Sequence, residues 1–566
     1  MPTGLLAATI AHIAATTADD GAILAFLPGL DEIIRTRDAL LQGGIFGLDM
    51  ADKSKFKIYM LHSTLPKQEQ QEIFETLPPG RRKIILSTNI AETSVTVTDV
   101  KYVVDTGKLR ESRYDQLRRI TKLQCVWESK SNSKQRMGRA GRVRDGFYYA
   151  LFSKERADSL RAVGLPELLR SDLQETCLSV TSQKFDEPVA SFLAQAIEPP
   201  SEKAVTAAIK SLIDIEAYTA DERLTSLGRV LSSLLIHPTL GKMIFLGVIF
   251  KCLDPVIALG AAAEDGALFV TPIAERRQAA QAHKLYAPDT ASDHLAHLAA
   301  FRELRQIKWE QGLDTMRSRA REQFLHIGAF RQTHQTAQQI VQVLADFGLI
   351  DRDATSSSSM YGPPALSINA DNSDLIKSLI LAGSHPNLAV KSKAASLLYR
   401  SPTEADLLIH PSSVNKVRKL SEEKAIKPAN TLFTFSDLSR SNDGSSLYLR
   451  NTTKVTPLMV ALSGGKLQMV GSNKLQLDDW LPFVVQGSRA EVHTKVILEF
   501  RKALERVLHR AYASHADFSA KAGQRRATGF ADDPIGEKFA QRVVQVLTGG
   551  PGDERHMNEW RDGWRM

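Results

Sequence analysis

Cysteine is almost missing from this 566-residue sequence. Cys125, Cys177 and Cys252 stand far apart, with no Cys-x-x-Cys and no Cys/His pairing. Neither a disulfide framework nor a zinc site is indicated, so a reducing compartment is expected. Long apolar runs are also lacking. The longest apolar tract, residues 244–263, is broken by Lys251, Asp254 and Pro255, which excludes a membrane span there and reads as two buried helices. The residues before Leu5 and Leu6 carry no positive charge of the kind that opens a secretory signal. A glycine-rich phosphate loop, G-x-x-x-x-G-K-S/T, occurs nowhere. The Gly-Lys pairs at Gly107, Gly241 and Gly465 are followed by Leu or Met and lack the upstream glycine. One tetrapeptide, Asp553-Glu554-Arg555-His556, has the look of a metal-holding acidic motif, but it follows Gly549, Gly550, Pro551 and Gly552. Such carboxylates emerge from the end of a buried apolar strand, so it is set aside.

What is present begins with charge. The net charge is +8, yet residues 101–144 hold 13 Lys and Arg against 4 Asp and Glu, a local excess of +9. The remainder is therefore close to neutral, and the concentration points to polyphosphate or nucleic acid near one site. Apolar content of 43% and charged content of 24% are those of a globular protein. The length has room for roughly three to five domains.

Short apolar runs at 22–27, 57–61, 84–88, 101–107 and 146–152 alternate with helical segments, the pattern of a parallel sheet flanked by helices. Asp31 and Glu32 open a helix after Pro28 and Gly29, and residues 67–76 form another, in which spacing alone would bury Phe74. Ligands of such sheets collect at the carboxyl ends of strands, where these loops are expected to fall. Arg139 and Arg142 are three residues apart with small residues between, so a helical turn would set both guanidiniums on one face with Gln135 a turn behind. Two fixed cations aimed at one point suit a phosphate.

From residue 154 the pattern is mostly helical, with an amphipathic helix over 202–218 and another over 224–235. Ser292 and Asp293 cap a helix that starts near His294. Four serines at 356–359 precede Gly362, Pro363 and Pro364, a connector in composition. Short β-like runs follow at 391–398, 406–409, 431–435, 447–449 and 466–470, spaced as in a small barrel. A helix over 491–512 comes next, and the polar, glycine-rich tail beyond Ser514 is expected to be mobile.

Two segments, Ile84-Ile85-Leu86-Ser87-Thr88-Asn89-Ile90-Ala91-Glu92-Thr93-Ser94 and Gln135-Arg136-Met137-Gly138-Arg139-Ala140-Gly141-Arg142, resemble motifs V and VI of the DEAH/RHA (DExH-box) branch of superfamily 2 RNA helicases. Residues 22–33 resemble motif IV, and Gly241-Lys242-Met243 with Cys252-Leu253-Asp254-Pro255 is similar to the RNA helicase A-like group. The resemblance implies an α/β RecA-like parallel-sheet domain followed by helical winged-helix and ratchet domains and a small β-barrel, the OB-fold. It places a second RecA-like domain at 1–153, winged helix at 154–236, ratchet at 237–353, linker at 354–373, OB-fold at 374–487 and a C-terminal helix with tail at 488–566. The first RecA-like domain is expected to lie outside this sequence, in cis or in trans.

By the same resemblance, Gln135, Arg139 and Arg142 face the phosphates of ATP, Phe74 stacks on its base, and Thr96 and Thr98 lie near it. Relatives carry Asp where Thr98 stands, whereas here the acid falls at Asp99. Arg136 is implied to be structural. Thr88, Asn89 and His294 would touch single-stranded RNA, residues 109–126 would form a β-hairpin wedge, and Mg²⁺ would be held mainly by the other domain. The implied function is ATP-dependent translocation on single-stranded RNA with unwinding, inside the cell, in cytoplasm or nucleus, with the mitochondrion left open. This polypeptide alone would be inactive. The alternative is a non-catalytic RNA-binding scaffold of the same shape.

Overall fold

The computed structural model describes residues 3–42, 44–62, 72–93, 97–115, 120–141, 145–183, 185, 187–234, 236–264, 267–272, 275–287, 290–351, 360–391, 393, 396–417, 431–441, 446–516, 534–548 and 564–565. They divide into two units. One is built from Met1–Arg113, Lys122–Ser171 and Val270–Arg276, the other from Tyr114–Thr121, Asp172–Phe269 and Arg277–Met566.

The first unit holds a five-stranded, all-parallel sheet. Its strands are β1 (Ala22–Phe26), β2 (Phe56–Leu61), β3 (Arg82–Ser87), β4 (Val100–Asp105) and β7 (Phe147–Ala150), in the order β2-β3-β1-β4-β7. A strand covered on both sides is buried at every position, as β1 and β3 are; β1 is apolar throughout and β3 apolar in its middle, with Arg82, Lys83 and Ser87 buried at its ends. Alternation sorts the side chains. Ile23, Ala25, Ile84, Leu86, Tyr102 and Val104 pack under α1 (Thr3–Thr16) and α2 (Leu30–Leu41), through Leu6, Ile10, Ile13, Ile33 and Leu40. Leu24, Phe26, Ile85 and Val103 face the other way, against Tyr59, Leu61, Ile73 and Ala91. This second face carries the crossovers between β2 and β3 and between β3 and β4, because Leu77, Ile90 and Val97 also pack on it.

One buried cation fastens that face. Arg136, on α4 (Lys130–Met137), has no solvent exposure. Its Nε lies 3.0 Å from Glu92 on α3 (Ile90–Thr93), and its Nη1 lies 2.8 Å from Asp105, at the end of β4, and 2.8 Å from Glu128. Asp105 and Glu92 are held by further donors. Tyr148 Oη donates to Asp105 at 2.9 Å, the Gly107 amide donates to Asp105 at 2.8 Å, and Asn132 donates to Glu92 at 2.6 Å. Ser129 and Asn132 close a capping box at the start of α4, fixing its first turn as Arg136 fixes its last. Three carboxylates around one guanidinium leave an excess of negative charge. Burial, with Asp105 alongside, pushes the Glu128 carboxyl up to about 8, so it stays protonated near neutrality. Between β4 and α4, β5 (Lys108–Asp115) and β6 (Ile120–Trp127) pair with each other as a two-stranded sheet, matching the expected hairpin.

From Asp172 to residue 384 the second unit is mostly helical, ending with helix Ser373–Ser384, and short strands then begin at Leu388. The apolar tract forms the helices Pro238–Ile249 and Leu253–Glu264, both largely buried. Helix Glu202–Asp214 starts after a Ser201 cap, but the helix expected over 224–235 is only Ser226–Leu231. A seven-stranded sheet follows, with strands Leu388–Lys391, Tyr399–Arg400, Leu407–Ile409, Leu432–Thr434, Asp437–Arg440, Leu447–Arg450 and Thr453–Val455 around a core of Ala389, Tyr399, Phe433, Phe435 and Leu449. The run expected at 391–398 is therefore early by several residues: the strand ends at Lys391, where the apolar Leu388-Ala389-Val390 is spent.

The tail is corrected more sharply. Helix Ala490–Ala516 is followed, within the segment expected to be mobile, by helix Pro534–Thr548, which packs against the helices Ser373–Ser384 and Ala490–Ala516. Ala540, Val543 and Leu547 are buried. Their spacing of three and four was a helix signal that overall polarity concealed.

Two outcomes are expected. Glu128 contributes stability that is complete below its ordinary pKa of 4.5 and is lost as pH rises through about 8. Glu128→Gln, neutral at every pH, removes that dependence. Unfolding midpoints of both proteins from pH 5 to about pH 9 should diverge as pH rises, with the native protein losing more; parallel curves would contradict the protonated carboxyl. Val543→Asp places a carboxylate in an apolar contact. Hydrogen exchange across 534–548 should speed up by at least about tenfold, and unchanged protection would mean that the helix is not docked.

Candidate functional site

Ser87 ends β3 and the chain turns at once. The Thr88 amide donates to Leu61 O at 3.3 Å, the Thr88 carbonyl accepts from Ser87 Oγ at 2.9 Å, and Thr88 is buried. Asn89 is exposed, while its carbonyl accepts from the Glu92 amide at 2.9 Å. The backbone here is fixed by α3, and through Glu92 by Arg136. An exposed amide on a rigid turn is a group that can read a sugar or phosphate without first being ordered.

Gln135 is exposed on the last turn of α4. Arg139 does not continue that helix. Gly138 caps α4, and the Arg139 and Ala140 amides close tight turns on Arg136 O and Met137 O, each at 3.0 Å. Gly141 then takes φ +72°, and Gly146 sits so close to it that a Cβ there would fall 2.4 Å from the Gly141 nitrogen. The expectation of Arg139 on a helical face is thus corrected: α4 ends at its Gly138 cap and the chain turns at Gly141, leaving Arg139 half-buried in the turn between them. Arg142 lies outside the described residues, as does Thr96.

Phe74 is not in the core. It closes a single 3-10 turn, Glu72–Phe74, and is 55% exposed; the longer helix expected over 67–76 is reduced to that turn among the described residues. The turn is tied down on each side of the ring. Ile73 is fully buried and its carbonyl accepts from Lys83 Nζ at 2.8 Å; Glu75 pairs with Lys57 Nζ at 2.7 Å. A backbone held this way keeps an apolar ring in water that would otherwise fold inward, which suits a stacking platform. Thr98 is exposed in the turn before β4, and Asp99 beside it pairs with Lys83 at 2.9 Å.

The candidate residues gather on one face of the sheet, but not at one end. Lys57, Lys83 and Asp99 mark the amino ends of β2, β3 and β4, so Phe74 and Thr98 lie at that end, while Asn89, Gln135 and Arg139 lie at the carboxyl end. The expectation that every loop falls at the carboxyl ends is corrected accordingly. A crossover must run the length of the sheet to re-enter in parallel, and residues 72–81 and 97–99 are the re-entry segments.

His294, in the second unit, follows the Ser292 cap as read from sequence. Both ring nitrogens are bonded: Nδ1 lies 2.8 Å from Thr453 Oγ1 and Nε2 lies 3.0 Å from Ser436 Oγ. Burial, with His297 adding to it, pushes its pKa down to about 4, so the ring is neutral. Asp293 beside it accepts from Ser413 Oγ, the Val414 amide and the Thr452 amide at 2.6 to 2.7 Å. The Ser292-Asp293-His294 segment thus docks the helix Asp293–Glu310 onto the strand-rich part of the same unit. Among the described residues no three His, Cys, Asp or Glu side chains gather as a metal site, and no helix is long and apolar enough to cross a membrane.

Comparison with known families agrees with this layout. Residues 8–144 match the helicase conserved C-terminal domain, 237–297 the ratchet-like helicase-associated domain HA2, and 376–467 the oligonucleotide/oligosaccharide-binding OB-fold. The chain is 35% identical over 512 residues to the ATP-dependent DNA/RNA helicase DHX36 of Bos taurus, covering 89% of this chain and 48% of that protein. It is 33% identical over 505 residues to the DExH-box ATP-dependent RNA helicase DExH1 of Arabidopsis thaliana, with the same coverage of 89% and 48%. To the human ATP-dependent RNA helicase DHX29 it is 32% identical over 480 residues, 82% of this chain and 33% of that one. The chain spans about half the length, or less, of the curated relatives it matches. With a RecA-like parallel sheet, a helicase-associated helical region and an OB-fold in that order, the chain belongs to the DExH-box RNA helicases and carries their C-terminal part.

Proposed function

We propose that this chain forms one wall of a nucleoside triphosphate site in an ATP-dependent helicase that moves along single-stranded RNA. The observation that carries the reading is the exposed Phe74 ring, on a turn clamped by Lys57 and Lys83, sharing a sheet face with Gln135 and Arg139. A flat ring at one end of the face and a guanidinium at the other suit the two ends of a nucleotide, base and phosphate.

Within that reading, Arg139 stabilises charge on the transferring phosphoryl group and Gln135 contacts the terminal phosphate. Thr98 meets the sugar, since the neighbouring Asp99 is already engaged by Lys83. The site is incomplete on its own: the 566 residues hold no glycine-rich phosphate loop, so that loop and the Mg²⁺ ligands belong to another domain. Phe74 stacking reads the flat face of a base and not its edge, so discrimination among nucleotides is weak. Asn89 and the backbone at Thr88 hold RNA, and movement of α3 relative to that strand couples nucleotide turnover to stepping. RNA contacts made to the backbone give salt-dependent, sequence-tolerant binding.

A second reading is favoured by the missing phosphate loop alone: an RNA-binding scaffold of helicase shape without turnover. The purified chain is expected to bind single-stranded RNA, more weakly at higher salt, and to show no RNA-stimulated ATPase. When a domain bearing the phosphate loop is supplied, turnover should appear, and Arg139→Ala should lower kcat by on the order of 10³ while RNA affinity stays unchanged. Robust turnover by this chain alone, or full activity of Arg139→Ala in the completed enzyme, would contradict the proposal. No turnover with the domain supplied would favour the scaffold.

A further inference from the structure

β3 opens with two adjacent basic residues, and alternation sends them to opposite faces. Arg82 reaches the α1 side, where it donates to Ile13 O at 3.2 Å and Thr17 Oγ1 at 2.8 Å. Lys83 reaches the other side and is 4% exposed. Its Nζ lies 2.8 Å from Ile73 O and 2.9 Å from Asp99 Oδ2, with the Tyr59 ring centroid 5.9 Å away. Ile73 immediately precedes Phe74, and Asp99 immediately follows Thr98. One ammonium therefore joins the two separate crossovers that present the stacking ring and the neighbouring hydroxyl.

Both arms are stiff beyond the lysine. Ile73 is fully buried, and the Asp99 carbonyl accepts from the Ala22 amide at 3.1 Å. Lys57 holds Glu75 at 2.7 Å and Glu72 at 3.7 Å, so the turn cannot pivot about Ile73 alone. Burying an ammonium is costly unless its donors are used, and a strand-start lysine needing only solvation would reach water. Here the ammonium is withdrawn from solvent and bridges the two loops directly.

We propose that Lys83 is a positioning residue of the nucleotide site. It sets the spacing between the Phe74 ring and the Thr98 turn so that one nucleoside fits between them. This rests on the reading of that face as a nucleotide site, and it goes further in naming the residue that gives the base and sugar end its geometry. A positioning role differs from a general structural one in what it protects. Loss of Lys83 should weaken contacts to the nucleoside and spare contacts to the phosphates, which are made at the other end of the sheet. Lys83→Met keeps the bulk of the stem, and Asp99, whose side chain is 42% exposed, can turn to water, so the change leaves no buried unpaired charge.

The experiment uses the full 566-residue chain and measures affinity for ADP and for inorganic pyrophosphate by competition against a fluorescent nucleotide. The proteins are native, Phe74→Ala, Lys83→Met and the double variant. Phe74→Ala should weaken ADP by about tenfold, the scale of one lost base stack, and leave pyrophosphate unchanged. Lys83→Met should weaken ADP by at least about threefold and leave pyrophosphate unchanged, and the double variant should be no weaker than Phe74→Ala alone. Native affinity for ADP in Lys83→Met, equal losses for ADP and pyrophosphate, or full additivity in the double variant would overturn the inference while leaving the site itself standing. A Phe74→Ala protein with undiminished ADP affinity, or a native chain that fails to prefer ADP over pyrophosphate, would instead count against the nucleotide reading. If Lys83→Met does not fold, Asp99→Ala cuts the same link at its exposed end. It should show the same selective loss, and an unchanged ADP affinity there would overturn the inference.

Discussion

Arg136 is the constraint on which the first unit depends. It is a fully buried guanidinium that holds the turn after β3, the end of β4 and the end of β6 together through Glu92, Asp105 and Glu128. An ion cluster of this kind adds little net stability over an apolar core, but removing one member leaves uncompensated charge and costs about 3–5 kcal/mol. What it supplies is placement. Gln135 and Arg139 flank the residue that cannot move, and Asn89 sits on the turn that Glu92 closes. The raised Glu128 pKa belongs to the same arrangement: the cluster tolerates its third carboxyl because that carboxyl keeps its proton.

At the other end of the same face, Lys57 and Lys83 do comparable work with simpler parts. Each fixes a re-entry segment to the start of a strand, and between them Phe74 is held in solvent. The sheet supplies a rigid floor, the crossovers supply the groups, and buried cations set the height of each group above the floor. In the second unit a carboxylate takes that part. Asp293 gathers Ser413, Val414 and Thr452, with neutral His294 beside it bonded to Thr453 and Ser436.

Much of this was legible in the residues. The strands are short apolar runs bounded by small polar residues, and the hairpin, the buried helix pair at 244–263 and the structural part played by Arg136 all follow from local pattern or from the family resemblance. Other features depend on information that local pattern does not carry. Spacing placed Arg139 and Arg142 on one helical face, but the helix stops at its Gly138 cap before Arg139, and Gly141 and Gly146 then approach closely within the loop before β7. Spacing would have buried Phe74, whereas lysines on the two neighbouring strands, 10 and 18 residues from the groups they bind, hold its turn outward. The helix Pro534–Thr548 was hidden by a polar average, although Ala540, Val543 and Leu547 are spaced to bury one side. The bonds that hold His294 are invisible locally, because its partners lie about 140 to 160 residues further along the chain.

The central claim is that the face bearing Phe74, Thr98, Gln135 and Arg139 meets a nucleotide. The most direct measurement is photolabelling of the purified chain with 8-azidoadenosine diphosphate, followed by peptide mapping, with unlabelled ADP as competitor. The label is expected on residues 72–77 or 97–99 and is expected to be removed by competitor. Competitor-sensitive label confined to the second unit, or label that competitor does not displace, would contradict the claim.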